Sequence, residues 1–203
     1  MSNHCDMVTL AAPGVRQLHP YQPGKPISEL EREYGVSNIN KLASNENPLG
    51  ASPMALEAMQ AELADLALYH DGGGFSLKQA LADKHGVSPD HVTLGNGSND
   101  VLVLLAEAFL TPALEAVYSQ YCFAVYPIAV EAVGAISRVA PAIPAGMPNA
   151  MGHDLQAMSG LVGEDTRLVF IANPNNPTGN GLDHDSLKEF IAAQPGHVLV
   201  VVD

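Results

Sequence analysis

Residues 169–181 read VFIANPNNPTGNG, an apolar run that breaks off into asparagine, proline and glycine. Three primary amides, Asn173, Asn175 and Asn176, stand where a strand would end, and an amide there can donate to or accept from a bound polar molecule. Leu168 to Ala172 is about the length of one strand, and its unbroken apolarity suits a parallel sheet covered on both faces. Asn173-Pro174 and Asn176-Pro177 force extended or turn backbone, so no helix starts before Thr178. In an open parallel sheet, ligands bind beyond the carboxyl ends of the strands. Taken singly, an Asn-Pro pair reads better as a proline-stiffened loop with no ligand; two within five residues at a strand end make the two readings even.

Gly95-Asn96-Gly97-Ser98-Asn99 offers a second chemistry, with permissive glycines and open backbone N–H groups ahead of a helix, which together make a phosphate cradle. Asp100 occupies the place of the third glycine of a dinucleotide fingerprint, and no acidic residue lies near the next strand end, which favours a single phosphate over a pyrophosphate. On this motif alone, a glycine-rich connection without a ligand is the alternative. Asp203 closes the apolar run Val198 to Val202, and Tyr121-Cys122-Phe123 places aromatic rings after another strand. A carboxylate, an amide, a phosphate cradle and an aromatic ring at converging strand ends are the parts that hold a phosphorylated aromatic heterocycle. Pyridoxal phosphate is such a molecule: its ring nitrogen is an electron sink when protonated, which a buried carboxylate favours, its phenolic oxygen needs a donor and its ring needs a stacking partner.

The elements that must position these groups follow from periodicity and punctuation. Residues 1–50 carry Pro13, Pro20, Pro23, Pro26 and Pro48 and little periodicity, and are expected to form an irregular N-terminal arm. A helical segment over 51–91 follows. Its first helix opens at Ser52-Pro53 with Leu56, Met59, Leu63 and Leu66 as its apolar face, and its second opens at Ser76, where Gln79 completes a capping box, and ends near Gly86. Tyr69 to Gly74 is a loop between them. From residue 92 to 203 the pattern alternates. Strands are expected at Val92 to Leu94, Ala116 to Tyr118, Ala135 to Val139, Arg167 to Ala172 and His197 to Val202, and helices at Asp100 to Leu110, Phe123 to Val133, Asp154 to Leu161 and Asp183 to Ala193. The first of these helices is apolar nearly all round, which predicts burial. The fold class is α/β, a mainly parallel sheet with helices on both faces.

A formal charge of −13 over 203 residues, with 9 Lys and Arg in all, leaves no basic face for nucleic acid or an anionic membrane. Two cysteines, Cys5 and Cys122, define no disulfide framework, the eight histidines show no metal-ligand spacing, and a reducing cytoplasmic setting is the expectation. No apolar run approaches the ~20 residues needed to span a membrane. Cys122 reads as a small buried hydrophobe rather than a nucleophile. Because the chain stops on the last residue of a buried strand, it is expected to be the first part of a longer protein whose sheet domain is incomplete here.

Together, NENPLG at Asn45 to Gly50, GNGSND at Gly95 to Asp100, FAVYPIAVEAVGA at Phe123 to Ala135, NPNNPTG at Asn173 to Gly179 and VLVVVD at Val198 to Asp203 resemble the fold-type I aminotransferases, class I/II, and within them the histidinol-phosphate aminotransferases. The likeness runs from about residue 40 to the end; NNPTG followed by a strand-ending Asp is its specific part, and GNGSND alone is weak. The resemblance implies that Gly97, Ser98 and Asn99 bind the phosphate of pyridoxal 5'-phosphate, that Phe123 stacks on its ring, that Asn176 donates to its phenolic oxygen and that Asp203 pairs with its ring nitrogen. It further implies that Tyr69 reaches the phosphate of the neighbouring subunit in a homodimer and that Asn45 borders the substrate. The implied reaction moves an amino group between a phosphorylated amino alcohol or amino acid, such as histidinol phosphate, and 2-oxoglutarate, in histidine biosynthesis. The family's Schiff-base lysine and carboxylate-gripping arginine are expected beyond residue 203, so that no catalytic residue lies within this chain. A related decarboxylase of a phosphorylated amino acid and a non-catalytic binding module are the alternatives.

Overall fold

The computed structural model describes residues 7–19, 21 and 24–203. Its backbone contacts divide into two compact units, Met1–Tyr21 with Thr93–Asp203, and Gln22–Val92.

The first unit is built on four parallel strands, β1 (Glu115–Ser119), β2 (Ile136–Ala140), β3 (Thr166–Ile171) and β4 (Leu199–Val202), in the spatial order β2-β1-β3-β4. Val117 lies beside both Arg138 and Val169, and Ile171 beside Val202. The central strands carry apolar residues at successive positions, and successive side chains point to opposite faces, so both faces must be covered. One face places Ala116, Tyr118, Leu168 and Phe170 against Leu102, Ala106, Tyr126 and Val130, residues of helices α5 (Ser98–Phe109) and α6 (Val125–Ala132). The other places Val117, Val169 and Ile171 against Met158 of α7 (Leu155–Leu161) and Phe190 of α8 (His184–Ala192). This is the expected α/β sheet with helices on both faces. Each fully buried large apolar side chain among these contributes about 1.5–3 kcal/mol of transfer free energy.

Local signals account for the helix ends. Asp154 Oδ1 accepts the Ala157 N–H at 2.9 Å, and Asp183 takes both the N–H and the hydroxyl of Ser186, which holds its carboxyl below the usual range. Gly134, at φ 76°, turns the chain from α6 into β2. The short helix α1 (Met7–Leu10) and a 3₁₀ turn at Val15–Gln17 also belong to this unit, and Gly14 lies so close to the end of α6 that a Cβ there would meet the Glu131 carbonyl oxygen at 1.9 Å.

The second unit holds α2 (Ile27–Tyr34), α3 (Pro53–Glu62) and α4 (Phe75–His85), with 3₁₀ turns at Leu63–Asp65 and Pro89–His91. Four expectations are corrected here. The arm, expected to be irregular, contains α2, for which Pro26 marks the start rather than a break and Gly35, at φ 63°, the end. The helix expected from a Ser76 capping box starts one residue earlier, because Asp71 accepts the N–H groups of Gly73 (2.9 Å) and Phe75 (2.7 Å) and does the capping; Gln79 instead bonds Asp83. Val92 to Leu94 forms no strand, since Val92 is extended but no partner strand lies beside it. Helix α5, expected to be buried because it is apolar nearly all round, buries one face and leaves Leu104 and Phe109 exposed.

Candidate functional site

The strand order sets the position of the site. Crossing from β1 through α6 to β2 steps to one side of β1, and the chain then returns across β1 through α7 to β3 and continues outward to β4. The winding reverses between β1 and β3, and a crevice opens outside the carboxyl ends of strands at such a switch. The two segments that leave those ends are Gln120 to Phe123 and Asn173 to Gly181.

They are tied directly to each other. Asn175, 2% exposed, donates from Nδ2 to the Tyr121 carbonyl at 2.7 Å and to Thr178 Oγ1 at 2.8 Å, while its backbone N–H reaches the Asn180 carbonyl at 2.7 Å. Asn173 brackets Leu182, accepting its N–H at 2.9 Å and donating to its carbonyl at 3.4 Å. Both Asn-Pro bonds are cis. Of the three amides considered as ligand contacts, Asn173 and Asn175 are therefore occupied in shaping the loop. Asn176 is half-buried, and its amide makes no hydrogen bond among the described residues.

Asp203 continues the ladder one residue past β4, donating its N–H to Ile171 and accepting from the Asn173 N–H. Its side chain is exposed, and Oδ2 accepts the Tyr126 hydroxyl at 3.1 Å. Tyr126 is fully buried, stacks on Phe170 (centroids 4.9 Å apart, planes at 14°) and meets the half-buried Phe123 edge-on at 5.9 Å. Burial pushes the Tyr126 hydroxyl far above its ordinary range, and the Asp203 charge adds to the shift, so it acts as a neutral donor. Phe123 and Asp203, predicted as partners of one ligand, are thus joined through a tyrosine that sequence reasoning passed over. Its only signal was its position in the apolar helix, where it reads as core.

Gly97, at φ 83°, ends the glycine turn, and Ser98 and Asn99 form the exposed first turn of α5, with the Asp100 carboxylate folded back onto the Asn96 N–H at 3.0 Å. The Ser98 and Asn99 N–H groups have no acceptor among the described residues, as the first turn of a helix leaves them. The helix that they open packs on α6 and β3, beside Tyr126 and Phe170. Tyr69 and Asn45 lie in the other unit, Tyr69 fully exposed on the loop after α3 and Asn45 exposed in an irregular stretch. Of the five lysines, Lys25 pairs with Glu29 and Glu33, Lys41 with Glu46, Lys78 and Lys84 ride on α4, and Lys188 sits on α8, on the sheet face opposite α6. Cys122 is half-buried, its thiol pushed up to about 11 by burial, and Cys5 lies outside the described residues. Among the described residues, no group of three or more His, Cys, Asp and Glu is placed to hold a metal ion, and no helix is long and apolar enough to cross a membrane.

Comparison with known proteins agrees with the fold. Histidinol-phosphate aminotransferase 2 of Methylococcus capsulatus is 59% identical over 197 residues, covering 97% of this chain and 53% of its own length. The protein of the same name from Pseudomonas aeruginosa is 56% identical, covering 98% of this chain and 53% of its own. The chain spans about half the length of the curated relatives it matches. The crystal structure of histidinol-phosphate aminotransferase from Sinorhizobium meliloti in complex with pyridoxal-5'-phosphate is similar over 94% of this chain and 50% of that one, with a TM-score of 0.81 and 26% identity. Alanine aminotransferase from Pyrococcus furiosus, 20% identical, shares the fold at a TM-score of 0.70 over 87% of this chain and 47% of that one. Residues 37–203, well over half of the sequence, match the family described as aminotransferase class I and II, and the chain belongs to that family.

Proposed function

We propose that the whole protein is a pyridoxal phosphate-dependent aminotransferase that moves an amino group between histidinol phosphate, or a similar phosphorylated amino alcohol or amino acid, and 2-oxoglutarate, as a cytoplasmic homodimer serving histidine biosynthesis. The observation that carries this reading is the joining of Phe123, Tyr126 and Asp203 at the carboxyl ends of the strands that flank the switch point.

The donor set fits the cofactor. Gly97 holds a backbone turn that leaves the Ser98 and Asn99 N–H groups open to a phosphate at a helix N-terminus, where the dipole favours negative charge. Asn176 has an unused amide for the phenolic oxygen, Phe123 an aromatic face to cover the ring and exclude water, and Asp203 a carboxylate to hold the proton on the ring nitrogen. Tyr126 keeps that carboxylate in place through its neutral hydroxyl. Bound there, pyridoxal phosphate supplies the electron sink for charge developing at the substrate carbon. Tyr69 is assigned to the phosphate held by the neighbouring copy and Asn45 to the border of the substrate. Lys188, the one lysine of the sheet unit, sits on the sheet face opposite Tyr126, and the other four belong to Gln22–Val92; the proton-moving amine is assigned to the rest of the whole protein, and the 203-residue chain alone is expected not to turn over.

The test is an assay of the full-length protein for glutamate formed from histidinol phosphate and 2-oxoglutarate, with and without added pyridoxal phosphate. Cofactor-dependent glutamate formation is expected; its absence, with cofactor demonstrably bound, overturns the substrate assignment, and failure to bind cofactor overturns the whole reading.

A further inference from the structure

His153 is 3% exposed, and its Nε2 lies 2.9 Å from the carbonyl oxygen of Ala172, the last residue before the Asn173–Gly181 loop. A carbonyl can only accept, so Nε2 carries the proton. In the neutral ring Nδ1 is then a bare acceptor, and it is buried without a partner. Burial of the ring opposes a second proton. An orphaned acceptor at this depth costs free energy unless a donor reaches it.

A small cavity of about 20 Å³ lies beside His153, bordered by Ile143, Asn149, Asn180, Gly181 and Leu182. One water molecule needs about 10–15 Å³ and two or more polar partners, so the cavity has room for one and not for a larger ligand. The same border is where the segment before α7 grips the amide-bearing loop. Asn180 Nδ2 reaches the Ala150 carbonyl at 3.3 Å, and a Cβ at Gly152 would come within 3.2 Å of the Asn180 side chain. Asn180 in turn accepts the Asn175 N–H.

We propose that this cavity is the site of one ordered water molecule that donates to His153 Nδ1, and that His153, held between that water and the Ala172 carbonyl, is a positioning residue for the Asn173–Gly181 loop. The consequence for cofactor binding rests on the function proposed above; the placement of the loop does not.

The tests use the full-length protein without added cofactor. In protein labelled with ¹⁵N-histidine, long-range proton–nitrogen correlations are expected to show His153 as the Nε2–H tautomer at neutral pH; an Nδ1–H or doubly protonated ring overturns the proposal. A high-resolution crystal structure is expected to place one water within hydrogen-bond distance of Nδ1, and a dry cavity overturns the water site. Hydrogen exchange then separates positioning from general stability. In His153→Leu the Asn175, Gly179 and Leu182 amides are expected to lose about tenfold in protection while β1 amides keep theirs. In His153→Gln, whose amide both donates and accepts, the loop amides stay within about twofold of the original. Unchanged loop protection in His153→Leu, or an equal loss throughout β1, overturns the positioning role; should that variant not fold, the tautomer and the Gln variant decide.

Discussion

Asn175 Nδ2 donates to the Tyr121 carbonyl at 2.7 Å, a bond between residues 54 apart in sequence that ties the segment after β1 to the segment after β3. Its neighbour Asn176 makes no such bond among the described residues, so the two asparagines are open to different tests. Asn175→Ala is expected to destabilise the fold by about 1–3 kcal/mol, because the Tyr121 carbonyl and Thr178 hydroxyl lose the donor that the buried Asn175 supplies. Asn176→Ala is expected to stay within about 0.5 kcal/mol and to weaken pyridoxal phosphate binding instead. Urea unfolding and cofactor titration of both variants check this; equal stability losses would refute the division of labour.

The Tyr126 ring and hydroxyl have separable roles. Tyr126→Phe keeps the stack on Phe170 and loses only the bond to Asp203, for an expected cost of about 1 kcal/mol. Tyr126→Ala also opens a hole between α6 and the sheet and is expected to cost about 3–5 kcal/mol. Cofactor affinity measured in Tyr126→Phe, where the fold is kept, should fall; an affinity equal to that of the parent would remove Tyr126 from the site.

Gly14 is required by space rather than by backbone conformation, since its φ of −62° suits any residue, whereas an added Cβ meets the Glu131 carbonyl at 1.9 Å. Gly14→Ala is expected to lift the arm at a cost of about 1–3 kcal/mol. Limited proteolysis should cut the arm faster in the variant, with β1 amides still protected from exchange; an arm as resistant as the parent's would contradict the contact.

Burial holds the His153 pKa below its ordinary value of 6.5. A depressed folded-state pKa means that the unfolded chain binds the proton first as pH falls. Its contribution is therefore fully present above about 6.5 and is lost as pH falls from there through the folded value. Stability by urea unfolding should drop between pH 7.5 and pH 5.5, and the drop should shrink in His153→Gln; an identical drop in both would assign it elsewhere.

The Cys122 thiol, raised to about 11 from 9.0, should alkylate slowly. At pH 8 its thiolate fraction is about 100-fold lower than that of an ordinary thiol. In a Cys5→Ser background, reaction with iodoacetamide is expected to be slower than that of a free thiol by at least tenfold and to reach the free rate in urea. A native rate equal to the free one would place Cys122 in the open.

Much of this arrangement was legible in the sequence, and the residues show why. The β3 run is apolar without alternation because both faces of the sheet are covered there, whereas the equally apolar β4, expected to be buried, is an edge strand with Leu199 and Val202 exposed; Asp154 and Asp183 announce helices by the shape of a side chain that caps them. Helix α2 was hidden because its prolines read as breakers, and the cap of α4 because Asp71 acts from four residues before Phe75, across glycines. Strand order, and hence the switch point, depends on which strands pair, which no local pattern states. Tyr126 and His153 were missed because a buried aromatic and a lone histidine look alike whether they fill space or hold a neighbour.

The bonds that join the site span 54 residues between Tyr121 and Asn175 and 77 between Tyr126 and Asp203. Loops of that length must close before either bond forms, and such non-local closure is the slow part of folding a parallel sheet. On the ribosome, α5, β1 and α6 emerge with the glycine turn and the aromatic rings already encoded, yet their counterparts arrive only with β3 and β4. The wall proposed to bind the cofactor is accordingly a late product of synthesis: a nascent chain stalled before residue 173 carries Gly97, Phe123 and Tyr126 but neither Asn175 nor Asp203.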